Sequence, residues 1–164
     1  MTNPKAFPEH RDHYRSLFDP ITGLPNNALL HDRLTMALAR GSRSNHFVGL
    51  LAVSVTFGSL DSNQATVHAL TEIAVRLASL LRPDDTAARV EDACAFIVVC
   101  NDITAQDHLD RIASRLAVQL GKPLAWDVEP IAVQVAVTSS LLAGVFDDEP
   151  AQLLDAAARF AIAH

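Results

Sequence analysis

The sequence predicts one α+β domain in which helices flank a mostly antiparallel sheet with a ferredoxin-like layout. Its 164 residues are enough for a single compact domain with one sizeable core. Apolar residues recur at helical spacing in some segments and form short runs rich in Val and Leu in others. After the first helices, these segments follow as strand, helix, hairpin, helix, strand and helix. That order is typical of helices packed on an antiparallel sheet.

Residues 10–18 are predicted to form a short amphipathic helix, and four longer segments also have helical periodicity. Pro83 ends the second of them, since the residue before a proline disfavours the α region. Pro150 suits the first turn of the last one. The predicted helices cover 27–40, followed by a stop in the sequence GSRSN, and then 64–81, about 105–120, and 149–163.

Four apolar runs are predicted to form strands. The run HFVGLLAVSVTF is the most apolar, and it suits a central strand that is buried on both faces. Two short runs around a tight connection predict a hairpin. The predicted strands cover 46–57, 86–90, 95–100 and 131–144.

Composition excludes several classes of function. A net charge of −6 and an isoelectric point near 5.5 argue against a protein that binds nucleic-acid phosphates. No apolar run reaches the roughly 18 residues of a membrane helix, so we expect no membrane insertion and a cytoplasmic location. Cys94 and Cys100 are expected to be free thiols. His10 and His13 lack a third ligand nearby, so neither a metal nor another cofactor is expected.

Three stretches, in matching order and spacing, resemble the GGDEF family. DPITGLPNN, residues 19–27, is similar to the opening motif DxLTGLxNR of that family. RLASLLRPDDTAARV, residues 76–90, is similar to the helix end and strand before the signature hairpin. LLDAAARFAIAH, residues 153–164, is a weakened form of the closing helix.

The resemblance implies a GGDEF or nucleotidyl cyclase-like fold with a five-stranded central sheet. It also implies two parts of the chain. Residues 1–18 would be an N-terminal segment with a short linker helix at 10–18, and residues 19–164 would be the GGDEF domain.

Active members of this family join two GTP molecules into cyclic di-GMP, using metal ions held by carboxylates. The matching positions on the first strand are Ser54 and Thr56, which are neutral. Counted without gaps, the signature positions hold Glu91, Asp92, Ala93, Cys94 and Ala95; moved by one residue, they run from Asp92 to Phe96. In neither register does a carboxylate occupy the metal or catalytic positions. The closing helix also lacks the family's lysine, and His164 is the nearest basic residue. We therefore expect no diguanylate cyclase activity.

One family motif persists. Arg82 and Asp85 match RxxD, the product-binding inhibitory site, and Arg115 matches the arginine that joins them from the next helix. Arginine can donate to guanine O6 and N7, and aspartate can accept from N1 and N2. A structural interpretation stays open beside this one, because a basic residue, a proline and an aspartate also form an ordinary helix exit.

Two main functional hypotheses follow. In the first, the domain is a catalytically inactive regulatory module that binds cyclic di-GMP through Arg82, Asp85 and Arg115. In the second, it needs no nucleotide and acts as a homodimerisation or protein-interaction module for a partner signalling protein, such as an EAL phosphodiesterase domain. A residual GTP-binding role is a third hypothesis.

Overall fold

The computed structural model describes residues 16–143 and 149–163. Most of the linker helix predicted at 10–18, the pair His10 and His13, and His164 lie outside these ranges. The described end of the predicted linker helix is not helical: residues 16 and 17 form a turn, and Phe18 makes an isolated bridge with Pro25.

Eight elements follow one another along the described chain, and they are close to the predicted ones. The helices are α1 (Asn27–Ser44), α2 (Asn63–Leu80), α3 (Gln106–Leu120) and α4 (Pro150–Ala163); the strands are β1 (Phe47–Phe57), β2 (Thr86–Arg89), β3 (Ala95–Ile103) and β4 (Val133–Leu142). None of the helices in the described part of the chain is long and apolar enough to cross a membrane.

The sheet has the order β2-β3-β1-β4, and each neighbouring pair is antiparallel. This confirms the predicted α+β class and the ferredoxin-like layout. β1 is central, as its apolar sequence predicted, and eight consecutive residues from Val48 to Val55 are buried. One apolar core lies between the sheet and α2 with α3, and a second lies between the opposite face and α1 with α4.

The expectation of five strands is wrong for the described residues, which form four. The four apolar runs recognised in the sequence supply all of them. The segment before β4 makes only an isolated bridge, in which Leu124 and Ile131 exchange backbone hydrogen bonds of 2.9 and 2.8 Å. Pro123 and Pro130 flank this bridge, and proline has no N–H to extend a ladder.

Helix α1 continues past its predicted stop. Gly41 lies within the helix, and the actual C-cap is Asn45, whose φ of 58° is left-handed. A Cβ at Gly41 would lie 2.8 Å from the carbonyl oxygen of His46. This glycine therefore permits a close approach of the chain entering β1, and it does not end the helix.

Candidate functional site

The end of β1 lies beside the β2–β3 hairpin. Ser54 pairs with Ala95, and the N–H of Val55 donates to the carbonyl of Cys94 at 2.9 Å. Ser54 is buried, whereas Thr56 is exposed. The structure therefore brings Ser54 and the hairpin residues matched to the signature together at one end of the sheet.

The hairpin connection is closed by its own backbone. The N–H of Val90 donates to Ala95 at 2.9 Å, and the N–H of Ala93 donates to Val90 at 3.3 Å. Between them Glu91 and Asp92 are exposed, and Asp92 has a φ of 56°. The loop thus presents two negative side chains to solvent.

The donors at this edge do not fit a magnesium site. Mg²⁺ requires hard oxygen ligands, usually one or two carboxylates in near-octahedral geometry. β1 offers only the neutral hydroxyls of Ser54 and Thr56, so the exposed carboxylates of Glu91 and Asp92 in the hairpin have no carboxylate partner on the strand. Across 16–143 and 149–163, no three His, Cys, Asp or Glu side chains converge as metal ligands would.

A buried ion pair joins the opening turn to this hairpin. Arg89 Nη1 donates to Asp19 Oδ1 at 3.0 Å, and both side chains are at most 10% exposed. Arg89 Nε also donates to the carbonyl of Ala93 at 3.2 Å. Within the turn, the N–H and hydroxyl of Thr22 donate to Asp19 Oδ2 at 2.8 and 2.7 Å, and Gly23 adopts a φ of 72°. Arg89 therefore has a scaffold role in this structure.

These contacts hold the Asp19 carboxyl in its charged form. Burial alone would raise its pKa, but the two hydrogen bonds from Thr22 and the contact with Arg89 lower it more. The net effect is a pKa below the ordinary value.

The RxxD motif forms a clamp around the exit of α2. Asp85 Oδ2 accepts from the N–H of Arg82 at 3.2 Å, and Asp85 Oδ1 accepts from the N–H of Asn101 at 3.0 Å. Arg82 Nη2 donates to the carbonyl of Asn101 at 2.7 Å, and the Asn101 side chain donates to the carbonyl of Asp84. The Asp85 side chain is 3% exposed, whereas that of Arg82 is 49% exposed.

Arg115 reaches the same helix exit. Its Nη2 donates to the carbonyl of Leu80, the last residue of α2, at 2.9 Å. The charges of the three predicted residues also act on one buried thiol. The pKa of Cys100 is raised to about 12, first by burial and then by the charge of Asp85, while Arg82 and Arg115 act in the opposite direction.

Two residues of this region were missed from the sequence. Asn101 is 8% exposed and completes the clamp; its signal was a polar residue at the end of an apolar strand. Arg33, an exposed residue of α1, lines a cleft of about 300 Å³ together with Arg82. An arginine on a helix surface gives no sequence signal that separates a binding role from ordinary solvation. The cleft is also lined by Phe18, Leu24, Leu29, Leu81 and Asp85.

A family model described as "Diguanylate cyclase, GGDEF domain" matches residues 16–162. The chain belongs to the GGDEF family. Its domain is 30% identical over 132 residues to the oxygen sensor protein DosP of Escherichia coli K12, and the match spans 77% of this chain but only 16% of DosP.

Solved structures of GGDEF domains have the same fold. A sensory box/GGDEF family protein from Caulobacter crescentus CB15 superposes with a TM-score of 0.77 at 27% identity, over 90% of this chain and 96% of that one. The GGDEF domain of DgcB from Caulobacter crescentus, in complex with cyclic di-GMP, has a TM-score of 0.72 at 16% identity, over 90% and 86% of the two chains. The domain is therefore a member of a cyclic di-GMP signalling family.

Proposed function

We propose that this GGDEF domain does not synthesise cyclic di-GMP and serves as a regulatory module that binds it near Arg82, Asp85 and Arg115. The observation that carries this proposal is the contrast between two regions of the domain. β1 carries no carboxylate to complete a magnesium site with the hairpin, while two arginines converge on the exit of α2.

Loss of synthesis is supported by the charge at the hairpin. A GTP triphosphate is strongly negative, and the exposed side chains of Glu91 and Asp92 would repel it where family members have glycine. The hydrogen bond from Arg89 Nε to the carbonyl of Ala93 also fixes the backbone of the hairpin. Neither Ser54 nor Thr56 supplies charge that would recruit a metal to offset this repulsion.

Binding of the product is supported by the chemistry of the arginines. Arg82 and Arg115 each donate from a single Nη2 to a main-chain carbonyl, and each guanidinium carries five N–H groups. Both residues are exposed. Such groups suit the O6 and N7 atoms of guanine and the phosphodiester oxygens of cyclic di-GMP. The DgcB complex carries this ligand on the same fold.

A calorimetric titration with cyclic di-GMP tests the proposal. We expect heat from the wild type and an affinity about tenfold weaker in Arg115→Ala, because each charge-assisted hydrogen bond contributes that much. Arg111→Ala is the matched control, since Arg111 is exposed on the same helix one turn away, and it should change the affinity less than about twofold. No heat from the wild type, or equal effects of the two substitutions, would reject the proposal.

The alternative of a nucleotide-independent interaction module is favoured by β4. No described strand pairs with its outer edge, and its sequence VQVAVTSSLL carries no charge and no proline. Such an edge is a template for pairing with another chain. Beside it, a groove of about 280 Å³ between β4 and α4 has a mostly apolar lining that includes Leu142, Leu153 and Phe160.

A second copy of this chain is the partner that an uncharged, self-complementary edge fits. Sedimentation of the full chain, and of a form lacking residues 1–18, measures this association. Ala136→Lys places a charge on β4 and should abolish it, whereas Ala39→Lys, on the exposed face of α1, should not. A monomer at all concentrations in both forms would reject the alternative.

A further inference from the structure

A cavity lined by the chain's single tryptophan lies beside the end of β1. Its volume is about 450 Å³, and two segments form its wall. The loop after β1 contributes Gly58, Ser59 and Asp61, and the segment before β4 contributes residues 126–132. The two segments are joined by a backbone hydrogen bond of 2.8 Å from the N–H of Gly58 to the carbonyl of Ala132.

Side chains of α2 hold the segment that carries Trp126. Arg76 donates to the main-chain carbonyls of residues 122–123, and His68 Nε2 donates to the carbonyl of Ala125 at 2.9 Å. The ring of His68 also packs against the indole of Trp126, with the two centroids 4.9 Å apart. The indole is therefore held in position before a ligand arrives, which reduces the ordering cost of binding.

The charge and the aromatic ring of the cavity favour a cation. Among the described residues, the charged side chains that line it are all acidic: Asp61, Asp127 and Glu129, each of them exposed. Carboxylates in a concave surface attract cations and repel phosphates. Trp126 adds an indole face, which attracts a cation more strongly than the ring of Tyr or Phe does. The cavity therefore suits an organic cation and not a nucleotide.

A guanidinium group matches this lining better than an ammonium group. It is planar, so it can stack on an indole while its N–H groups donate to carboxylates in pairs. Val128, which also lines the cavity, is 89% exposed and gives an apolar surface that a chain bearing the arginine would cover. Tryptophan and arginine are also enriched among the residues that contribute most to protein–protein binding.

We propose that this cavity is a docking site for an arginine side chain of a partner protein: Trp126 stacks on the guanidinium, and Asp127 and Glu129 accept its hydrogen bonds. The inference goes beyond the proposed function, because it requires no nucleotide. The cavity is also distant from the exit of α2, since His68 and Leu80 lie about 18 Å apart along the axis of that helix. Binding at one region can therefore be tested without the other.

The emission of the single tryptophan reports on this cavity. The full chain is titrated with the tripeptide glycyl-arginyl-glycine, blocked at both ends, and with the same peptide carrying citrulline, which has the shape of arginine without its charge. We expect a saturable change with a dissociation constant of roughly 1 mM for the arginine peptide and an affinity at least about tenfold weaker for the citrulline peptide.

Calorimetry measures the same two affinities independently of the emission. Equal affinities for the two peptides, or no binding of the arginine peptide up to about 20 mM by either method, would overturn the proposal.

Neutral variants of the lining test the contacts given to the carboxylates. The double variant Asp127→Asn with Glu129→Gln should bind the arginine peptide about tenfold more weakly, because it removes two charges and keeps the shape. Both side chains are exposed, so its unfolding by urea should match that of the wild type. Asp32→Asn, exposed on α1 and outside the lining, is the matched control and should leave the affinity unchanged. An affinity of the double variant equal to that of the wild type would contradict these contacts.

Free L-arginine distinguishes a protein partner from an amino-acid ligand. It has the same guanidinium but lacks the neighbouring peptide groups that would cover Val128, so it should bind at least about threefold more weakly than the blocked tripeptide. Tighter binding of free arginine would overturn the assignment of the cavity to a partner protein.

Discussion

At the scale of single residues, the turn around Asp19 was predictable from the sequence, whereas the ion pair of Asp19 with Arg89 was not. The turn formers around Asp19 were visible as a motif, and the structure confirms a turn closed by Thr22 and Gly23. The partner, however, lies 70 residues away in β2, and only the folded sheet brings it within 3.0 Å. An ion pair between residues so far apart in the chain cannot be recognised from the local pattern of a single sequence.

Asp19→Asn should lower the free energy of unfolding by about 3 kcal/mol at pH 7, because it leaves Arg89 buried without its anion. The folded pKa of Asp19 lies below its unfolded value of about 3.9, so the charged carboxylate stabilises the fold above that pH. This contribution is lost as the pH falls through the lower, folded pKa. The stability gap between wild type and variant should therefore narrow below about pH 4.

Urea unfolding at pH 7 and at a series of acidic pH values measures that gap. Asp32→Asn, on the exposed face of α1, is the control and should behave like the wild type at each pH. A gap that stays constant with pH would show that the charge of Asp19 does not stabilise the domain.

At the scale of elements, periodicity predicted every helix and strand that the described residues form. The bounds of β1 and α3 differ from the predicted ones by one residue, because each is set by its own apolar pattern. The predicted end of α1 was wrong because a contact with a neighbouring segment determines the structure there. Gly41 stays helical because the chain entering β1 passes too close for a side chain. The expected fifth strand followed from the family resemblance and had no apolar run of its own.

The backbone conformation of the β2–β3 hairpin predicts how glycine substitutions there change the free energy of unfolding. Asp92 adopts a φ of 56°, which costs an L-residue roughly 1 kcal/mol and costs glycine little. Asp92→Gly should therefore raise the free energy of unfolding by about 0.5 kcal/mol. Glu91→Gly, next to it and without a left-handed φ, should lower it by a similar amount through the entropy of the unfolded chain. Thermal unfolding of the two variants compares them, and destabilisation by both would contradict the backbone argument.

At the scale of the whole molecule, the two regions of functional interest lie at opposite ends of β2. The hairpin follows Arg89, and the RxxD clamp precedes Thr86. Four residues of extended chain separate them by about 10 Å. The hairpin and the clamp are therefore separate regions, as the proposal of ligand binding without synthesis requires.

How much of this could be predicted differs between the two regions. The expectation that Ser54 and Thr56 stand where active family members have acidic residues came from the family resemblance, and the apolar pattern of β1 placed the two residues on a strand. The convergence of Arg82, Asp85 and Arg115 followed from the resemblance, and the structure brings all three to the exit of α2. The burial of Asp85 was not predictable, since it depends on Asn101 from another strand.

The central claim is that this GGDEF domain regulates without synthesis. Incubation of the purified chain with GTP and either Mg²⁺ or Mn²⁺, followed by chromatography of the nucleotides, tests it most directly. We predict no cyclic di-GMP above a blank without protein, because β1 supplies no carboxylate for the metal. Cyclic di-GMP formed in molar excess over the protein would contradict the account.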